Sequence, residues 1–287
     1  MTTGTDYNRI RKEITAYDEI ARRNVETGIE SMTRRLVGEN LLAQFGKTPV
    51  VEGFPYPSSA WLDSQANPVS ELDAYKWLAP IKGSDFLQLG GSGSHAIKAL
   101  IGGANSSSLL TPMAEEGLLA ARMAKRLGLS ERLDVVQAIG EQLPFADESV
   151  DRIFGGGTLH HIQLGEGFRE IARILKPGGR AAFVDPNLNF IYRLLEVTRI
   201  RELAREDGAQ CYPLRVADVR QNATGFRTVK CELAGGPLRY VIVGLTRVLK
   251  MNVPISLSLK AQSIETGVLT KLKLKSLLGG LAVLIEK

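Results

Sequence analysis

Phe86 to Leu100 reads FLQLGGSGSHAIKAL, and Glu141 to Ile162 reads EQLPFADESVDRIFGGGTLHHI. In the first stretch an apolar strand runs into Gly-Gly-Ser-Gly and turns at once into a helical pattern. Glycines there let a ligand approach the backbone, which side chains would block. The helix start adds free N–H groups. In the second stretch a Leu-Pro-Phe and a short acidic loop precede a strand and the run TLHHI. Its downstream helix ends in LKPGGRAAFVDPN, from Leu175 to Asn187.

Working outward from Phe86, strands and helices alternate, which implies a parallel sheet with helices on both faces. The strands are DFLQL, SSLL, DVVQA, DRIFG and RAAFVD. Helices are expected at SHAIKALI, after Thr111-Pro112, and at GFREIARIL, the last stopping at Lys176-Pro177-Gly178-Gly179. Thr111 suits an N-cap and Pro112 a first helical position. Glu115 and Glu116 then fall in the first turn and Lys125 and Arg126 in the last, favourable to the helix dipole. Gly128 closes that helix.

Upstream, Ile10, Ile14, Tyr17, Ala21 and Val25 share one helix face within a helical stretch from about 8 to 45. The proline-bearing run TPVVEGFPYPSSAW reads as a linker or edge loop, and SELDAYKWLAPI as a helix. Downstream, FIYRLLEVTRIRELARE reads as a helix, FRTVKCEL as a strand and LAVLIEK as a closing strand. The segment 238–251 is apolar on one face and basic on the other. It reads as a lid packed on its own core, with a homodimer surface and a peripheral membrane contact as alternatives. Residues 1–79 are expected as a helical cap and linker, and 80–287 as the core, with the lid over about 187–275.

Bulk properties narrow the class. The 287 residues suit one large domain with an appendage, or two modest ones. At 44% hydrophobic and 23% charged, the composition is that of a globular protein. No apolar run approaches the roughly 18–20 residues that span a bilayer. The polar N-terminus MTTGTDYNRIRKE is no secretory signal. Cys211 and Cys231 make no disulfide framework or metal pattern, so a reduced, cytoplasmic protein is expected, without a metal. The net charge of +5 is mild, and no nucleic-acid motif accompanies it.

Gly91, Gly93 and Ala96 also satisfy a dinucleotide fingerprint, so a nicotinamide oxidoreductase is a rival. Its ribose acid should follow about 20 residues on. There the chain reads SSLLTPM, without a carboxylate.

The two stretches together, in this order and spacing, resemble the class I S-adenosylmethionine-dependent methyltransferases, and most closely the small-molecule, type 11-like branch. The resemblance covers about 80–190 well. It implies a doubly wound, seven-stranded, mostly parallel Rossmann-like sheet with a helical cap and a substrate-side lid. It also implies S-adenosylmethionine as cofactor and a small, lipophilic substrate. The cofactor site it implies comprises Gln88, Gly90, Gly91, Gly93, Leu109, Thr111, Ile139, Gly140, Glu141 and Gly155. Three of these depart from the family, which places acids at the positions of Gln88, Leu109 and Ile139. Three alternatives follow: neighbours such as Thr111, Glu141 or Gln142 stand in, the cofactor is held differently, or the fold has been repurposed for ligand binding or another reaction.

The chain has three histidines, His95, His160 and His161. The loops after strands one and four meet at the carboxyl edge of such a sheet, where ligands bind. All three are therefore expected near the pocket as candidate proton acceptors. His160 and His95 are expected to face the substrate, and His161 to shape its loop.

Overall fold

The computed structural model describes residues 11–19, 21–22, 62–64, 66–197, 212–249 and 251–287. Its centre is a seven-stranded sheet in the order β3-β2-β1-β4-β5-β7-β6. The strands are β1 (Asp85–Leu89), β2 (Ser106–Thr111), β3 (Leu133–Gln137), β4 (Val150–Gly156), β5 (Leu175–Pro186), β6 (Thr228–Ala234) and β7 (Gly280–Glu286). Pairings from β3 to β5 are parallel, and β7 lies antiparallel between β5 and β6. The doubly wound sheet expected from the sequence is therefore present. Its order also differs from the 3-2-1-4-5-6 order of dinucleotide-binding sheets.

Helices α1 (Pro68–Leu78), α2 (Ser94–Ile101), α3 (Ala114–Arg126), α4 (Leu164–Ile174), α5 (Phe190–Val197), α6 (Val216–Asn222), α7 (Pro237–Val243) and α8 (Ile255–Lys271) surround it. Side chains alternate across a strand, and this sheet buries both sets. Leu87, Ile153, Phe183 and Val283 pack with Phe168 and Ile171 of α4 on one face. Phe86, Phe154, Ala182, Val184 and Leu284 pack with Ala74, Tyr75 and Leu78 of α1 on the other. A third cluster joins Leu109 of β2 to α2 and α3.

Several boundaries differ from the sequence expectation. Thr111 ends β2 and is not an N-cap; α3 begins at Ala114 after Met113. The Lys176–Gly179 turn does not precede β5 but interrupts it. Val150 pairs with Leu175 and Arg152 with Arg180, so the extra residues bulge out of the ladder. The segment 238–251 is not one regular helix, since α7 passes into a π turn at Gly244–Val248.

Helix α8 had no sequence signal. Its packed side mixes Ser258 and Gln262 with Ile255, Leu259 and Leu269, and Leu257, Ile264 and Val268 lie exposed, so apolar periodicity does not single out the face that packs. Of the long N-terminal helix, residues 11–19 and 21–22 are helical. The linker at 48–61 and the second half of FIYRLLEVTRIRELARE lie outside the described residues.

Candidate active site

A cavity of about 170 Å³ opens at the carboxyl ends of β1, β2 and β4. Its floor is the backbone of Gly90, Gly91, Gly156 and Gly157, and its apolar walls include Leu110, Met113, Ile139 and Ile162. The N-terminal helix closes one side with Glu13, Ile14 and Tyr17. That helix is tied to the core: Glu115 N–H donates to Asp18 at 3.1 Å, and Arg22 pairs with Glu115 at 3.3 Å.

The glycine turn is held from within. Gly90, Gly91 and Gly93 all have positive φ, between 73° and 80°, a region that only glycine enters freely. A Cβ on Gly93 would come within 2.5 Å of Ala120 Cβ, so Gly93 serves helix packing. Gln88 does not line the cavity. Its Nε2 donates to Gly90 O at 2.7 Å and its Oε1 accepts from Ala96 N–H at 2.8 Å. An amide can do both, whereas an ionised carboxylate cannot donate. Gln88 therefore braces the turn against α2.

Leu109 does not reach the cavity either. It is fully buried between β2 and the α2–α3 layer, and alternation hands the cavity wall to Leu110. The carboxylate at this end of the site is Glu116. Thr111 Oγ1 donates to Glu116 Oε2 at 2.7 Å. Burial raises the Glu116 carboxyl to about 7, against the opposing pull of the Thr111 hydroxyl and the Gly91 N–H. Thr111 thus positions Glu116. Ile139, Gly140 and Glu141 do line the cavity. Glu141 Oε1 accepts from Gln163 N–H at 2.8 Å, whereas Gln142 is exposed. Gly155 lies behind the wall, where a Cβ would strike Phe183 at 2.5 Å.

The histidines do not converge, contrary to the sequence expectation. His95 sits beneath the turn, bonded to Tyr75 Oη and 4.2 Å from the Phe154 ring between centroids. Burial lowers its pKa to about 3. Its Nε2 is 3.6 Å from Asp63 and 3.9 Å from Glu71. Asp63, Glu71 and His95 bring ligand-type atoms within 4.8 Å of one another, but Lys98 Nζ supplies the positive charge there, 2.7 Å from Asp63. His160 is also buried, with Nδ1 2.6 Å from Asp185 Oδ1. His161 is the histidine at the cavity. Its Nδ1 lies 3.1 Å from Glu13 Oε2 and its Nε2 3.4 Å from Tyr17 Oη.

Glu13, Tyr17 and Glu116 were missed as site residues. Tyr17 was legible as inward-facing, but nothing local marked what it would face. Glu116 read only as a favourable charge in the first turn of a helix.

A family model described as a methyltransferase domain matches residues 90–183, the stretch that carries the glycine turn and the β4 loop. Over that stretch the chain is similar to the methyltransferase domain family. Among related sequences, the ubiquinone/menaquinone biosynthesis C-methyltransferase UbiE of Bartonella quintana is 30% identical over 161 residues. That match covers 50% of this chain and 61% of the relative. An uncharacterized methyltransferase of Mycobacterium tuberculosis is 27% identical, over 44% of this chain and 51% of its own. The alignments thus span about half to three-fifths of these relatives.

Solved structures share the methyltransferase fold. A geranyl diphosphate C-methyltransferase of Streptomyces coelicolor superposes with a TM-score of 0.54 at 13% identity, over 75% of this chain and 76% of that one. A putative sarcosine dimethylglycine methyltransferase of Galdieria sulphuraria gives 0.52 at 20% identity, over 76% and 86%.

Proposed function

We propose that this chain transfers a methyl group from S-adenosylmethionine to a small, largely apolar acceptor. The observation that carries this reading is the cavity itself: an apolar chamber on a glycine floor, with Glu13, Glu116 and Glu141 in its wall. The residues fit a cofactor that is cationic at sulfur and rich in donors. The glycine turn gives close backbone approach. Glu116 replaces the family's ribose acid from the next helix, and Glu141 with Ile139 borders the purine end. Glu13 Oε1 is buried with no hydrogen-bond partner in the described structure, a vacancy that suits a positive charge. When bound, the cofactor supplies an electrophilic methyl group.

His161 is the group placed to take a proton from the acceptor. The Glu13 carboxylate fixes the N–H at Nδ1 and leaves Nε2 as the basic nitrogen. Tyr17 covers that nitrogen and, with Ile14, keeps water from the chamber. The acceptor is an apolar molecule with a hydroxyl, amine or activated carbon. The Bartonella relative is named for C-methylation in quinone biosynthesis, and an acceptor of that kind suits walls built from Ile14, Leu110, Met113 and Ile162.

Calorimetric titration with S-adenosylmethionine, followed by assays for S-adenosylhomocysteine with lipophilic phenols, quinols and amines, tests this. Saturable binding and acceptor-dependent turnover are expected. Absence of binding at millimolar cofactor would overturn it. Binding without turnover on any acceptor would leave a ligand-binding use of the fold.

A further inference from the structure

Helix α8 carries apolar side chains on both of its faces. Toward the core it turns Leu269 together with Ser258 and Gln262, the last two each 1% exposed and bonded to each other at 2.9 Å. Toward solvent it turns Leu257 at 59%, Ile264 at 61% and Val268 at 49% exposure. At 3.6 residues per turn these three fall within about 40° of one another. Leu272 and Leu274 continue the exposed apolar surface past the helix end. Scattered exposed leucines are ordinary, but a contiguous stripe marks a contact surface.

The charges on this element are one-sided. Residues 255–277 hold four lysines, Lys260, Lys271, Lys273 and Lys275, against one acid, Glu265. That acid is withdrawn from the surface. Its carboxylate accepts the N–H groups of Gly236 at 2.8 Å and Leu238 at 3.0 Å, capping the start of α7. The lysines are exposed, and Lys260 and Lys271 flank the apolar stripe along one side. No described helix is long and apolar enough to cross a membrane.

We propose that α8 and the following KLKLK segment dock this protein flat on an anionic lipid surface. Apolar side chains in a narrow arc with lysines beside them are the pattern of an interfacial helix. A second copy fits less well. A two-fold contact would set this face against itself, and in the antiparallel pairing it would bring the lysines of one copy toward those of the other. The inference stands apart from the reaction, because none of these residues lines the cavity.

The test is co-sedimentation of the full chain with vesicles of phosphatidylcholine alone and of phosphatidylcholine with phosphatidylserine. Binding to the phosphatidylserine vesicles, weakened by added salt, is expected. Changing Lys260, Lys271, Lys273 and Lys275 to Gln should weaken it by about fivefold per lysine in contact. Leu257→Ser with Ile264→Ser and Val268→Ser should abolish it at an unchanged melting temperature, which separates docking from folding. No binding by the unaltered chain, equal binding to both vesicles, or undiminished binding by the variants would overturn the proposal. A concentration-dependent dimer that the serine variant dissociates, without vesicle binding, would assign the face to a second copy instead.

Discussion

Glu13 Oε2 lies 3.1 Å from Nδ1 of His161, across 148 positions of the chain. One residue belongs to the N-terminal helix and the other to the loop after β4. The contact therefore exists only when the helix is seated over the sheet edge. It places a basic nitrogen and the cover of the cavity under one hydrogen bond.

His161→Gln is expected to lower turnover by roughly 10²–10⁴-fold, the range of a lost general base. Affinity for S-adenosylmethionine should change little. Glu13→Gln should give a smaller loss, because the ring stays but its tautomer is no longer fixed. His160→Gln should act on stability instead, since it strands the buried Asp185. Steady-state kinetics beside thermal melts separate the two patterns, and a larger kinetic loss at His160 would reverse the assignment.

Cofactor affinity is expected to depend on pH through Glu116. Its carboxyl is raised to about 7, so it is largely protonated below that value. Ribose hydroxyls donate best to the ionised form. Affinity should therefore rise as pH increases toward 7 and level off above it, by up to about tenfold per unit below 7 for one linked proton. Folding carries the opposite sign. The raised pKa means that the folded state binds more protons than the unfolded state between 4.5 and about 7, so this group's stabilisation fades as pH rises through that window. Calorimetry at several pH values should show the affinity trend, and Glu116→Gln should flatten both trends.

Acids restored on β2 should behave differently at adjacent positions. Leu109→Asp places a carboxylate in the sealed layer against Gly93 and Ala120. A loss of several kcal/mol is expected, with no gain in affinity. Leu110→Asp points the new acid at the cavity, where ionisation can be matched by the ligand. Urea melts and cofactor titrations of the two variants make the comparison, and tighter binding by the Leu109 variant would show that the strand faces are misassigned.

Lys98 neutralises the buried cluster below the glycine turn. Its side chain is 7% exposed and its partner Asp63 28%. Lys98→Met removes the cation bonded to Asp63 and should destabilise the fold by about 3 kcal/mol, the lower end for a broken buried pair because Asp63 retains some solvent. The urea midpoint should fall accordingly. His95 should add an acid-side loss. Its pKa is lowered to about 3 by burial, so its stabilising contribution is full above 6.5 and declines as pH drops toward 3.

The sequence by itself determined the sheet. Phe86–Leu89, Ile153–Gly155 and Ala181–Val184 are short, largely apolar runs, the first two followed directly by glycine and the third two residues after Gly178-Gly179, and strand formation there depends on local chain properties. The glycine turn was legible for the same reason, because positive φ at Gly90, Gly91 and Gly93 strongly favours glycine whatever surrounds it. The resemblance to the methyltransferase family, not a local signal, pointed to Ile139, Gly140 and Glu141, which line the cavity; local signals were silent on more distant partners. They did not reveal which histidine serves the cavity. His160 and His161 are neighbours in the chain, yet Asp185 draws one inward and Glu13 holds the other at the chamber. Nor did they show that Glu116 lines the cavity in contact with Thr111, or that α8 turns serine and glutamine inward beside Leu269. Each of those outcomes is set by a partner distant in sequence. Which way a side chain faces depends on what the folded chain brings against it, and only the tertiary structure decides that.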